Sequence, residues 1–216
     1  MPTTDPVTAL LLAAGQGSRM GSPKAVVEID GRTLTERAID VLLEGGCADV
    51  LVVLGADAQR VRTRLETGRA SWGDRVATAE CANWAGGVSE SIRTGLATLA
   101  ARGRRCPQAT LVHLVDLPDI GADVIARVLD QGRGDGLATA LARAAHHGRP
   151  GHPALVGVTH WQGVMDSAVG DRGAGPYLRR HGAALIDCDD VASGRDIDTQ
   201  AELTAYRERV AHHDTP

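Results

Sequence analysis

The sequence predicts a three-layer α/β/α domain on a mostly parallel, Rossmann-like sheet, and three observations predict it. Short apolar runs without polar alternation recur along the chain, as strands covered on both faces require. Between them lie stretches whose apolar residues recur at helical spacing, and that alternation builds a parallel sheet with helices on both sides. The first and fourth apolar runs end in residues suited to binding, a glycine-rich bend and an aspartate. In sheets of this kind ligands sit beyond the carboxyl ends of the strands.

Taken in order, Val7 to Ala14 is the first strand and opens directly into Gly15–Gly21. From Thr33 to Leu43, the positions Leu34, Ala38, Val41 and Leu42 give a crossover helix that Gly45-Gly46 stops. Asp49 to Leu54 is a second strand, Asp57 to Leu65 a second helix and Val76 to Ala79 a third strand. Val88, Ile92, Leu96 and Leu99 mark a helix beyond Gly86-Gly87, and Ala109 to Val115 is a buried-type strand that ends at Asp116. The next helix starts near Gly121 or Ala122. After Asp135 the pattern loosens, with strands expected at Leu137–Leu141, Pro153–Val158 and Ala183–Ile186 and a closing helix from Thr199 to about Val210. No linker, repeat or low-complexity tract divides the chain, so residues 1–216 are read as one domain.

Composition narrows the function. A chain of 216 residues can bury a substantial core without staples. It is 43% apolar but only 2% aromatic, with no Phe, so the core is Leu, Val, Ile and Ala, and no stacking platform for bases is available. A net charge of −4 lacks the basic excess that a polynucleotide partner requires. The four cysteines, Cys47, Cys81, Cys106 and Cys188, show neither metal-ligand nor disulfide-framework spacing. No apolar run approaches the ~20 residues of a bilayer span, and the N-terminus does not read as a secretory signal. The expectation is a reduced, cytoplasmic protein without nucleic-acid or membrane partners.

The segment from Leu12 to Lys24 places Gly15, Gly17, Gly21, Arg19 and Lys24 directly after a buried strand. Glycines let successive N–H groups aim at an anion, and the two cations can neutralise phosphate; the plain alternative is a tight surface turn with solvated charges. A Walker loop is ruled out because Lys24 follows Pro23 and no Gly-Lys-Ser/Thr occurs there. The dinucleotide fingerprint fits poorly, since Gly15, Gly17 and Gly21 are one residue too widely spaced and the second strand ends at Leu54-Gly55 without an acid. A redox nucleotide site is therefore the second choice.

Leu12-Ala13-Ala14-Gly15-x-Gly17-x-Arg19-Met20-Gly21-x-Pro23-Lys24 resembles the signature loop of the molybdenum cofactor nucleotidyltransferases, within the glycosyltransferase-A-like nucleotidyltransferase superfamily. The resemblance continues at Asn83-Trp84-x-x-Gly87-x-Ser89-x-Ser91, Val115-Asp116-Leu117-Pro118-Asp119, Gly151-His152-Pro153, Gly170-Asp171-x-Gly173-Ala174 and Asp196-Ile197-Asp198-Thr199. It implies the single-domain fold of nucleotide-diphospho-sugar transferases, with a nucleotide-binding half over about 7–120 and an acceptor half over about 121–200. It implies an enzyme that joins a nucleotide monophosphate to a phosphorylated small molecule and releases pyrophosphate.

By the same resemblance, Lys24, Arg19 and Asp116 carry the chemistry. The nucleotide would meet Leu12, Ala13, Ala14, Gly15, Gly17, Ser18, Arg19, Lys24, Asn83, Gly87, Ser89 and Asp116. Mg2+ is the expected cofactor, since that ion takes one or two carboxylates plus substrate phosphates. Its ligands would be Asp116 and Asp198, with Asp196 in reserve and a helix-capping role for Asp198 as the alternative. Asp119 is expected to cap a turn after Pro118. Relatives that use CTP carry Leu-Ala-Ala-Gly, as Leu12–Gly15 does here, so CTP is favoured. His152 and Asp171 are expected at the acceptor, for which molybdopterin is favoured, with a molybdenum hydroxylase as a further partner; a structural role for His152 and loop positions for His146 and His147 are the plain readings. Gly175-Pro176 and Gln200-Ala201 depart from the family's usual residues, which keeps a sugar or polyol phosphate open as acceptor. A carrier or chaperone of the finished cofactor is the non-catalytic alternative, and intact Lys24 and Asp116 argue against it.

Overall fold

Residues 7–213 are described by a computed structural model; the ends of the expected 1–216 unit lie outside the described residues. Along the chain run β1 (Val7–Ala13), a small hairpin of β2 (Glu28–Ile29) and β3 (Arg32–Thr33), α1 (Leu34–Glu44), β4 (Asp49–Leu54), α2 (Ala58–Trp72), β5 (Val76–Glu80), α3 (Val88–Ala100), β6 (Ala109–Leu114), α4 (Ala122–Asp135), β7 (Leu141–His146), β8 (Arg149–Gly157), α5 (Trp161–Ser167), α6 (Gly175–Arg180), β9 (Ala184–Asp187) and α7 (Gln200–His213). The main sheet has seven strands in the order β5-β4-β1-β6-β8-β7-β9. Every neighbouring pair is parallel except those of β8, which runs against both β6 and β7. This is the mostly parallel three-layer sheet that the apolar runs imply.

β1 lies inside the sheet and is buried at all seven positions. Its alternate residues divide two cores. Ala9, Leu11 and Ala13 face a layer that includes Leu34, Ile39 and Leu42 of α1 and Val124, Ile125 and Val128 of α4. Leu10 and Leu12 face Ile92, Leu96 and Leu99 of α3, with Trp161 and Leu178 beyond. The start of α1 is written locally: Thr33 Oγ1 accepts from Glu36 N at 3.1 Å and Glu36 Oε2 accepts from Thr33 N at 2.7 Å, a reciprocal cap.

Several boundaries differ from the sequence reading. Leu137–Thr139 is a 3-10 turn following Gly136, whose φ is 87°, and the strand expected at Leu137–Leu141 begins only at Leu141. The apolar run there fills the core from a turn. β8 starts at Arg149, ahead of the expected Pro153, because His147 (φ 52°) and Gly148 (φ 70°) form a two-residue hairpin loop with both residues left-handed. His146 is consequently a buried strand residue, not a loop residue. α2 runs past Leu65 to Trp72, whose indole donates to Asp40 Oδ1 of α1 at 2.7 Å. Among the described residues no helix is long and apolar enough to cross a membrane.

Candidate active site

β1 and β6 are neighbours with Leu12 opposite Leu114, and Val115 N donates to Leu12 O at 3.2 Å, so the glycine bend and Asp116 leave the sheet side by side. Together they wall a cleft of about 420 Å³. Gly17 can be nothing but glycine: its φ is +62°, and a Cβ there would stand 2.1 Å from Ser22 O. The bend closes through Met20 N to Gly17 O at 2.8 Å, and a 3-10 turn over Lys24–Val26 follows.

Lys24 ties the site together. Its ammonium donates to Asp116 Oδ2 at 2.7 Å and to Asp198 Oδ1, while Arg19 Nη1 lies 3.2 Å from Asp198 Oδ2. The side chains of Lys24 and Asp116 are only 16% and 20% exposed, whereas that of Arg19 is 76% exposed. Burial alone would lower the Lys24 pKa; the charge and hydrogen bond of Asp116, joined by those of Asp198, outweigh it and hold the ammonium above its ordinary value. The hydrogen bond from Lys24 is the main cause that lowers the Asp198 carboxyl.

Asp116 Oδ1 is buried and has no hydrogen-bond partner. A bare carboxylate oxygen is costly to bury, and this one sits beside a second carboxylate and the mouth of an anion-binding bend. Among the described residues no three His, Cys, Asp or Glu side chains gather to hold a metal by themselves. Two carboxylates without a soft ligand suit a hard divalent ion that completes its shell from phosphate and water; the residues present therefore fit such an ion.

The choice between Asp196 and Asp198 is a matter of placement. Asp196 is exposed, while Asp198 meets Lys24 and Arg19. The cap of α7 falls to Thr199, whose Oγ1 accepts from Glu202 N at 3.2 Å while Glu202 Oε2 accepts from Thr199 N at 2.8 Å. Asp119 does not act as a local turn cap: its Oδ2 accepts from Ser193 N at 3.0 Å and from Ser193 Oγ. Gln200, a departure from the family pattern, donates through Nε2 to Met20 O at 2.9 Å and so fastens α7 to the glycine bend.

Leu12, Ala14, Gly15, Gly17, Ser18, Arg19 and Lys24 line the cleft with Gly87, Asp116, Asp171 and Asp198. Ala13 does not, because strand alternation turns its side chain into the opposite core. Asn83 is exposed and stands off the wall; the neighbouring Trp84 lines it and gives the cleft an aromatic surface that the sparse aromatic content did not announce. Ser89 is buried at 1% exposure and Ser91 takes its place on the wall. At the start of α3, Asp171 Oδ1 accepts from Val88 N at 3.4 Å, and a Cβ on Gly87 would meet that oxygen at 2.6 Å. A carboxylate thus sits at the N-terminus of α3. His152 is absent from the wall: its Nδ1 donates to Val112 O at 3.2 Å, and burial, aided by Arg143, lowers its pKa to about 4.

Glycine bend, strand-end aspartate and lysine-bridged carboxylates at the carboxyl edge of a mostly parallel sheet define a nucleotidyltransferase. The chain belongs to the MobA-like NTP transferase domain family, which it matches over residues 9–185. Nicotine blue oxidoreductase of Paenarthrobacter nicotinovorans is 34% identical over 205 residues, covering 91% of this chain and 94% of that protein. 2-C-methyl-D-erythritol 4-phosphate cytidylyltransferase of Rhodococcus jostii (strain RHA1) is 38% identical over 96 residues, 43% of this chain and 38% of that one. In fold, a nucleotidyl transferase from Methanothermobacter thermautotroptrophicus superposes with a TM-score of 0.77 at 19% identity, over 97% of this chain and 100% of that chain.

Proposed function

We propose that the protein transfers the cytidylyl group of CTP to a phosphorylated small molecule, molybdopterin in preference, and releases pyrophosphate in the cytoplasm. The observation that carries this is the Lys24 ammonium on two carboxylates, Asp116 and Asp198, at the mouth of the glycine bend. The nucleotide half spans about 7–120 and the acceptor half about 121–200. An acceptor phosphate oxygen attacks the α-phosphorus, a new P–O bond forms, and the bond to the bridging oxygen breaks in line with it; pyrophosphate leaves with that electron pair. Backbone amides of Gly15–Ser18 hold the triphosphate, Lys24 and Arg19 counter the charge that builds on the leaving group, and Asp116 with Asp198 would hold Mg2+. The ion, when bound, neutralises phosphate oxygens. Ala14, 5% exposed and lining the cleft next to Trp84, supports a small base pocket, and a cytidylyltransferase among the relatives supports CTP.

Pyrophosphate release measured with CTP, GTP, ATP and UTP, against molybdopterin and a panel of sugar and polyol phosphates, tests the assignment. Preference for CTP with molybdopterin is expected, and a wild-type preference for GTP overturns the base assignment. A second reading, an oxidoreductase using the same cleft, is favoured by the oxidoreductase that is 34% identical over 205 residues. It predicts redox turnover when an electron donor and an acceptor are both supplied, and no pyrophosphate from any triphosphate.

A further inference from the structure

Asp198 reaches the cleft on residues 192–198, which have no regular secondary structure. Its carboxylate shares Lys24 with Asp116, so two like charges are brought together by a segment that no ladder fixes. The turn after β6 grips that segment twice. Asp116 O accepts from Ile197 N at 2.9 Å, and Asp119 Oδ2 accepts both from Ser193 N at 3.0 Å and from Ser193 Oγ. Upstream, the buried ring of His146 meets Ala192 O through Nδ1 at 3.2 Å, and a Cβ on Gly194 would stand 2.3 Å from that ring. Downstream, Gln200 holds Met20 O. The turn that supplies one carboxylate of the pair thus also sets the position of the other, and the side chain of that turn that hydrogen-bonds the segment is Asp119.

We infer that Asp119 is a positioning residue: through Ser193 it sets Asp198 beside Asp116 and thereby fixes how tightly the pair holds a divalent cation. The inference rests on the reading of Asp116 and Asp198 as the cation-binding pair. Its double acceptor role is met by one oxygen, while Asp119 Oδ1 is buried without a partner. Asparagine can therefore replace it, keeping the accepting oxygen; alanine cannot.

The test is Mn2+ titration of the nucleotide-free full chain, followed by electron paramagnetic resonance, for wild type, Asp119→Ala, Asp119→Asn, Ser193→Ala, Asp116→Asn and Asp198→Asn, each with its thermal transition recorded. Asp119→Ala is expected to weaken Mn2+ binding about tenfold or more, as loss of a group that orients a metal ligand does. Asp119→Asn should restore it to within about threefold, and Ser193→Ala, which keeps the backbone donor, should lose an intermediate amount. Unchanged affinity in a folded Asp119→Ala overturns the inference, since a role in stability alone moves the melting temperature and not the affinity. Should Asp119→Ala fail to fold, wild-type affinity in Ser193→Ala overturns it, and weakening there with retention in Asp119→Asn supports it. A wild type that binds no Mn2+, or that keeps its affinity in Asp116→Asn and Asp198→Asn, overturns the inference together with the reading beneath it.

Discussion

Lys24→Met keeps the length and apolar stem of the side chain and deletes the ammonium that stands on Asp116 and Asp198. A divalent ion approaching those carboxylates in the wild-type protein must compete with that ammonium, whose Nζ is 2.7 Å from Asp116 Oδ2. At the effective dielectric near a protein surface, unit charges about 4 Å apart interact by roughly 4 kcal/mol. The two carboxylate side chains are 20% and 34% exposed, and solvent screening brings the relief to about 1–2 kcal/mol. The variant should therefore bind Mn2+ about 5- to 30-fold more tightly in the absence of nucleotide. Pyrophosphate release should meanwhile fall by about 10²-fold or more, because the leaving group loses its fixed counter-charge. Paramagnetic titration measures the first effect and a coupled phosphate assay the second. Equal or weaker Mn2+ binding by a variant that still melts cooperatively would refute the idea that lysine and metal compete for one pair of carboxylates.

Three further outcomes are expected. His113 and His152 are held neutral by burial, His113 with its pKa lowered to about 3 and His152 to about 4. The unfolded chain protonates both near pH 6.5, so stability is complete above that value and falls as the pH drops from there toward 4 for His152 and toward 3 for His113. Between pH 6 and 5 the loss is about 2 kcal/mol, or roughly 4–8 °C in melting temperature. Because His113 Nδ1 has no partner, His113→Leu breaks no hydrogen bond there and should halve that pH dependence; an unaltered slope by scanning calorimetry speaks against the buried-imidazole origin. Gly17→Ala should cost about 1–3 kcal/mol and abolish triphosphate binding in calorimetric titration, since its φ of +62° and Ser22 O at 2.1 Å leave no room for a methyl group; wild-type affinity would show that the bend is not the phosphate cradle. Ala14→Gly should relax the preference for CTP over GTP by about tenfold, the worth of a methyl-sized change in a base pocket, and an unchanged kcat/KM ratio would place base selection elsewhere.

Much of the fold was legible because its signals are local. The unbroken apolar stretches of β1, β4 and β6 announced strands covered on both faces, and the helical spacing of Leu34, Ala38, Val41 and Leu42 announced α1. In the site, the glycine bend and Asp116 could be read from their positions just beyond strands, since a parallel sheet presents those ends on one edge, and Lys24 came with the resemblance of the loop that follows β1. The run Leu137–Leu141 misled because an apolar run buried from a turn has the same composition as one buried in a strand, and only the left-handed Gly136 separates them. His152 and Ser89 misled for another reason: their motif places them near the cleft, while the direction of each side chain is settled by what packs against it.

By itself, then, the sequence determined the layer architecture, the anion-binding bend and the presence of an aspartate at the end of β6, all properties carried by neighbouring residues or by a short repeat. Tertiary structure alone decided that β8 runs against its neighbours, that Asp198 and not Asp196 meets Lys24, that Trp84 walls the cleft and that Asp119 reaches Ser193. Those outcomes depend on which of many polar and apolar groups, distant along the chain, come within hydrogen-bond or van der Waals reach once both cores are packed. No periodicity encodes that choice, because it is made by the joint fit of segments whose separation in sequence leaves no trace in either one.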